Sequence, residues 1–228
     1  MGLEPLVVPL FEVAPIAWQP PDPGGFDSVA MTSASAARYG GAYLAHYRHL
    51  PVFAVGEATA QAARLAGFTW VRAGAGTAAD LAALLEMPFA CQAEVSNGCH
   101  LETSVLAGTS RPNPGRDGQT ARVLHLAGVD HIEIPTRAEV TVVPVYVTSA
   151  LKISSPLQAD VALIHSPRAG ARLAELIPVR TAIQIVAISE AAAQASGSGW
   201  AAIHIASVPR EYAMLECLRG LCEASPLN

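Results

Sequence analysis

Short apolar runs recur along the chain, and each is followed, after a few small polar residues, by a stretch in which Ala and Leu return at helical spacing. Ser28–Met31, Val52–Val55 and Trp70–Arg72 are such runs in the first half, and Val161–Ile164, Ile183–Ile188 and Ala201–Ala206 in the second. Runs this short, without polar alternation, read as strands buried on both faces. The stretches after them predict helices over Ser35–Tyr47, Glu57–Ala66, Ala78–Glu86, Arg168–Leu176, Glu190–Ala195 and Arg210–Glu223. Val7–Phe11 and Val142–Val147 read as two further strands, and Arg122–Gly128 as one more buried strand ending in glycine. Strands alternating with helices of about ten residues predict βαβ units, and hence an α/β fold with parallel sheets.

The pattern occurs twice. Residues 26–37 (FDSVAMTSASAA) align with 159–170 (ADVALIHSPRAG) at a shift of 133, which brings Asp27 onto Asp160, Ser33 onto Ser166 and Ala36 onto Ala169. The same shift lays AVGEATAQA (54–62) on AISEAAAQA (187–195), identical at six of nine positions. An ordered series at nearly constant offset points to an internal duplication. The expected architecture is two similar parallel-sheet domains, the first over 12–140 and a second, discontinuous one from 1–11 plus 141–228. Residues 87–120, rich in Gly, Pro, Ser and Asn, fit no element and read as an insertion longer than compact domains ordinarily carry.

Composition narrows the function. With 14 Lys+Arg against 19 Asp+Glu, the net charge of −5 disfavours nucleic acid, whose binding needs cationic neutralisation of phosphates. The first residues lack a basic segment and are interrupted by Pro5, Pro9 and Pro15, unlike a secretory signal. No apolar run approaches the ~18 residues of a membrane span. A cytoplasmic protein with no nucleic-acid or membrane partner is expected. Cys91, Cys99, Cys217 and Cys222 have no zinc-site spacing and read as reduced thiols, two in a loop and two in a helix. Gly74-Ala75-Gly76 lacks the third glycine of a dinucleotide fingerprint, and there is no phosphate-loop lysine motif. No metal and no cofactor are expected.

Chemistry then falls to the strand-to-helix junctions: Thr32-Ser33, Gly56-Glu57-Ala58-Thr59, Ser166-Pro167-Arg168 and Ser189-Glu190. In a parallel sheet these share one edge, where exposed N–H groups and helix N-termini favour anions. The same residue types are also ordinary helix caps, and both readings stand at this point.

Taken together, PLFEVAP, FDSVAMTSASAAR, LPVFAVGEATAQAARLAGF, VLHLAG, VPVY, ADVALIHSPRAGARL and AISEAAAQASGSGW resemble the uroporphyrinogen-III synthase family. The resemblance implies two flavodoxin-like domains joined by a two-stranded connector, with the active site in the cleft between them, in a monomeric enzyme without cofactor. It also implies a lyase reaction of tetrapyrrole (haem) biosynthesis: hydroxymethylbilane, a linear polycarboxylate, loses water and cyclises with inversion of ring D. Tyr146 matches the family's V-Y tyrosine, near the departing hydroxyl. Thr32, Ser33, Thr59 and Ser166 match its hydroxyl-bearing turns, Gly56 and Ser189 lie in the corresponding junctions, and Arg168 is a candidate partner for a carboxylate. Family members usually carry a strand-turn-helix unit before the segment resembling the start of this chain. The second domain is therefore expected to lack its first strand and helix. The alternative is an inactive or repurposed homologue that binds a small ligand.

Overall fold

The computed structural model describes residues 4–87, 120–153 and 157–224. The chain divides into a large unit, Val13–Ser149, and a small unit made of Met1–Glu12 and Ala150–Asn228. The sequence expectation for residues 87–120 lies, but for its two ends, outside the described residues.

The sheet of the large unit, whose strands β1 and β6 run on into the small unit at Phe11–Glu12 and Ala150, has β1 (Phe11–Pro15), β2 (Ser28–Met31), β3 (Val52–Ala54), β4 (Val71–Ala73), β5 (Arg122–Gly128) and β6 (Glu139–Ala150), arranged β1-β6-β5-β2-β3-β4. The pairs β2/β3, β3/β4, β2/β5 and β5/β6 are all parallel. Every residue of β2 is buried, as an apolar strand flanked on both sides requires. Asp27 fixes its register against β5: the Asp27 N–H donates to Arg122 O at 2.8 Å, and Arg122 N–H donates to Asp27 Oδ2 at 2.8 Å.

The helices α1 (Ala34–Tyr39), α2 (Glu57–Leu65) and α3 (Ala78–Glu86) complete this unit. Val29, Met31, Leu124 and Leu126 pack with Ala36, Ala37, Ala62 and Ala63 on the α1/α2 face. Ala30, Phe53 and Val123 pack with Leu81, Ala82, Leu85 and Ile134 on the α3 face. Alanine on the first face lets the short helices lie close to the sheet, and α3 is closed by a Thr77/Asp80 capping box.

Two expectations are corrected here. The helix predicted over Ser35–Tyr47 stops at Tyr39 and resumes as a 3-10 segment, Ala42–Tyr47. Gly41 holds φ at 70°, a left-handed conformation that ends the helix, so the Gly40-Gly41 pair outweighs the apolar periodicity. The first strand begins at Phe11 rather than Val7, which is 89% exposed. Pro9 offers no N–H for a ladder there, whereas residues 11–15 lie beside β6.

The small unit has a three-stranded parallel sheet, β7 (Val161–Ile164), β8 (Gln184–Ala187) and β9 (Ala202–Ile205), in that order. Its helices are α4 (Pro167–Leu176), α5 (Glu190–Ala195) and α6 (Glu211–Ala224). Ile164, Ile185 and Ala187 pack under α4 and α5 with Leu173, Ala192 and Ala193. Val186 packs on the opposite face with Ala213 and Met214 of α6. Within the described residues β7 has one strand partner, where the corresponding β2 has two. Cys217 and Cys222 lie in α6 with free thiols.

Candidate functional site

Strand order determines where a ligand fits in the large unit. After β2 the chain passes to α1 on one face of the sheet, whereas after β5 it passes to Ile134 and Ala138 on the other face. The connections diverge between two adjacent strands, which is a topological switch point. Open parallel sheets bind ligands in the crevice this leaves beyond the carboxyl ends of the strands. Thr32 ends one wall of the crevice, and Gly128 and Val129 end the other.

Tyr146 reaches this edge through an irregularity in β6. Ala127 pairs with Pro144 but Gly128 pairs with Tyr146, so Val145 is an extra residue in the register. A bulge of this kind re-aims the side chains after it, and Pro144, with no N–H to give the ladder, sits where it begins. Val129 N–H donates to Tyr146 O at 3.0 Å, and the half-buried Tyr146 ring lies directly over the Gly128 backbone. A phenol held there by carbon contacts can still donate a proton or hydrogen bond through its oxygen.

Thr32 follows the last residue of β2. Its Oγ1 lies 3.0 Å from His125 Nε2, joining the two walls by a side-chain hydrogen bond. His125 is 1% exposed, and the ring of the exposed His131 meets its ring edge-on at 5.8 Å. Burial first, and then the like charge His131 would carry, push the His125 pKa down to about 4. His125 is therefore neutral at neutral pH. It is absent from the candidate residues that the sequence singled out. The available signal was a titratable residue inside the otherwise apolar run VLHLAG, three positions before its closing glycine.

The remaining serines act as caps. Ser33 Oγ accepts from Ser35 N at 3.2 Å, Ser166 Oγ from Ala169 N at 3.1 Å, and Ser189 Oγ from Ala192 N at 3.3 Å. Each cap occupies an acceptor site and leaves the hydroxyl proton able to reach an anion. Replacing Ser166 by Ala is expected to lower stability by roughly 1 kcal/mol and replacing it by Gly by only a few tenths, read as urea midpoints. Gly56 caps α2 without a side chain, in an extended conformation open to any residue. Thr59 is 5% exposed inside α2, which turns its hydroxyl away from solvent. Arg168 is exposed at the start of α4, with its guanidinium 4.8 Å above the Phe11 ring.

Thr32, Ser33 and Gly56 thus sit just beyond strand ends of the large unit and Tyr146 inside β6 opposite the end of β5, while Ser166, Arg168 and Ser189 sit just beyond strand ends of the small unit. Among the described residues no group of three or more His, Cys, Asp or Glu is placed to hold a metal ion. No described helix is long and apolar enough to cross a membrane.

These features define an α/β protein, dominated by parallel sheet, with a topological switch point between β2 and β5. Residues 1–95 match the sequence model of uroporphyrinogen-III synthase HemD, and solved structures that share the fold include two uroporphyrinogen-III synthases. One, from Helicobacter pylori, superposes with a TM-score of 0.61 at 16% identity, covering 93% of this chain and 91% of that one. A mutant uroporphyrinogen III synthase from Thermus thermophilus gives 0.50 at 15% identity, covering 98% and 91%. No curated protein sequence matches the chain.

Proposed function

We propose that this chain is a uroporphyrinogen-III synthase, a lyase that cyclises hydroxymethylbilane to the isomer with ring D inverted. The observation that carries the reading is the placement of Tyr146 over Gly128 at the end of β5, beside the neighbouring β2 whose end carries Thr32, in a chain whose first 95 residues match the family. In the reaction the hydroxymethyl C–O bond breaks, the departing oxygen takes a proton and leaves as water, and an azafulvene-like cation remains. Ring D attacks that cation through its substituted carbon, and the resulting spiro intermediate reopens and closes with the ring turned over. Tyr146 supplies the hydrogen bond or proton to the leaving oxygen. Thr32, Ser33, Ser166 and Ser189 hold carboxylates through hydroxyl protons and adjacent amides, with Gly56 lining a junction, Thr59 enclosed behind it in α2, and Arg168 offering a forked pair of donors.

Because the bilane closes unaided to the uninverted isomer, the protein's task is positioning. A net charge of −5 suits such a site: the polyanion is held by oriented neutral donors and few arginines, so the surface need not be basic. The finer organisation belongs to the same proposal: a duplicated, flavodoxin-like plan with β1 and β6 as connector, acting as a cytoplasmic monomer without cofactor. It is supported by the shift of 133, which pairs the Ser33 cap after β2 with the Ser166 cap after β7. The test is to supply hydroxymethylbilane to purified protein and separate the products after oxidation. Isomer III is the expected product, and isomer I alone from folded protein rejects the reading.

A further inference from the structure

His125 takes no part in the reaction outlined above, yet it is the only histidine among the buried described residues and its one recorded hydrogen bond spans the crevice. The β2/β5 pairing places it opposite Ala30, two residues before Thr32. A valine or leucine would fill an apolar strand position at less cost, since burying an imidazole in a sheet is unfavourable unless its nitrogens are bonded. The contact with Thr32 is directional, and it determines what that hydroxyl can do. If Nε2 carries the hydrogen, His125 donates to Thr32 Oγ1 and the hydroxyl proton is left for a ligand. If Nε2 is bare, the Thr32 proton is used internally and only acceptor sites face the crevice.

We propose that His125 is a positioning residue that holds Thr32 as a hydrogen-bond donor to a carboxylate of the substrate, with the imidazole in its neutral Nε2–H form. The inference rests on the synthase reading for the identity of the ligand, and on the strand pairing for the rest. His125 touches no substrate. It acts by fixing the Thr32 rotor, so that one donor at the crevice mouth is already oriented when the polyanion arrives. A contact of this sort forms with bound substrate and persists in the transition state, so its loss falls on KM rather than kcat.

Two measurements test it. In the full chain, nitrogen-15 NMR of the histidine rings at neutral pH is expected to show His125 as the Nε2–H tautomer, with a resonance that moves in Thr32→Val. The Nδ1–H tautomer overturns the proposal whatever the chain catalyses. In the bilane assay, His125→Ala and Thr32→Val are each expected to raise KM roughly tenfold with kcat within about twofold, and the double variant no further than either alone. His125→Gln, which can place an amide N–H near Nε2, is expected to recover most of the loss. Additive effects, or a fall in kcat at constant KM, overturn it. If wild-type protein yields only isomer I, the synthase reading fails and the tautomer decides the His125 proposal.

Discussion

Acidification from pH 7 to pH 4 is expected to remove about 3 kcal/mol of folding stability through His125 alone. In the folded protein burial and the neighbouring His131 hold the His125 pKa down to about 4, against an ordinary value of 6.5. The unfolded chain therefore takes up a proton at His125 as the pH falls below about 6.5, while the native state does not do so until about 4. Where the unfolded state binds more protons, stability rises with pH. The contribution is thus complete above the unfolded value, drains away between the two, and changes no further below the lower one. His125→Gln titrates nothing at this position. Urea unfolding of wild type and variant at a series of pH values should give curves that converge toward acid, with the wild type losing more. Parallel curves across this window would show that His125 is not held neutral.

The strands were legible because burial on both faces leaves a simple record. Ser28–Met31, Arg122–Gly128 and Val161–Ile164 begin and end where their apolar runs do. Helices Ala78–Glu86 and Glu190–Ala195 were equally legible, since Thr77 and Ser189 are caps placed directly before Ala-rich stretches. Where the reading missed, a local backbone preference overrode side-chain pattern: Gly40-Gly41 cuts a helix whose periodicity continues, and Pro9 leaves Val7 and Leu6 in solvent.

The strand-end positions of the candidate residues were legible, but not their geometry. Hydroxyls at strand ends could be picked out, but not that three serines also serve as caps or that Thr59 is enclosed. The bulge at Val145 depends on two strands coming into register across residues far apart in the chain, so nothing local to VPVY announces it. The same holds for the Thr32–His125 bond, which joins residues 93 positions apart.

Gly128→Ala is expected to reduce kcat/KM for bilane cyclisation by about a hundredfold while costing only about 1 kcal/mol of stability. A Cβ at Gly128 would lie 2.7 Å from Tyr146 Cε2, 2.8 Å from Cζ and 3.0 Å from the phenolic oxygen, so the two cannot coexist in place. What it meets is the far end of a side chain, and Tyr146 is only partly buried against the α1/α2 core. The ring can therefore swing aside without opening the sheet, which keeps the folding penalty small. Its oxygen would move with it, by an ångström or more, and displacements of that size in a group that must meet a departing hydroxyl are expensive. The glycine is thus required by the position of the phenol more than by the backbone, since no left-handed φ occurs at Gly128. Tyr146→Phe separates the two roles: it keeps the packing, loses the donor, and should make the added methyl of Gly128→Ala nearly silent in a second cycle of activity measurements. If Gly128→Ala retains full activity, or slows the Tyr146→Phe variant as much as it slows the wild type, the phenol over Gly128 is not the group that meets the leaving oxygen.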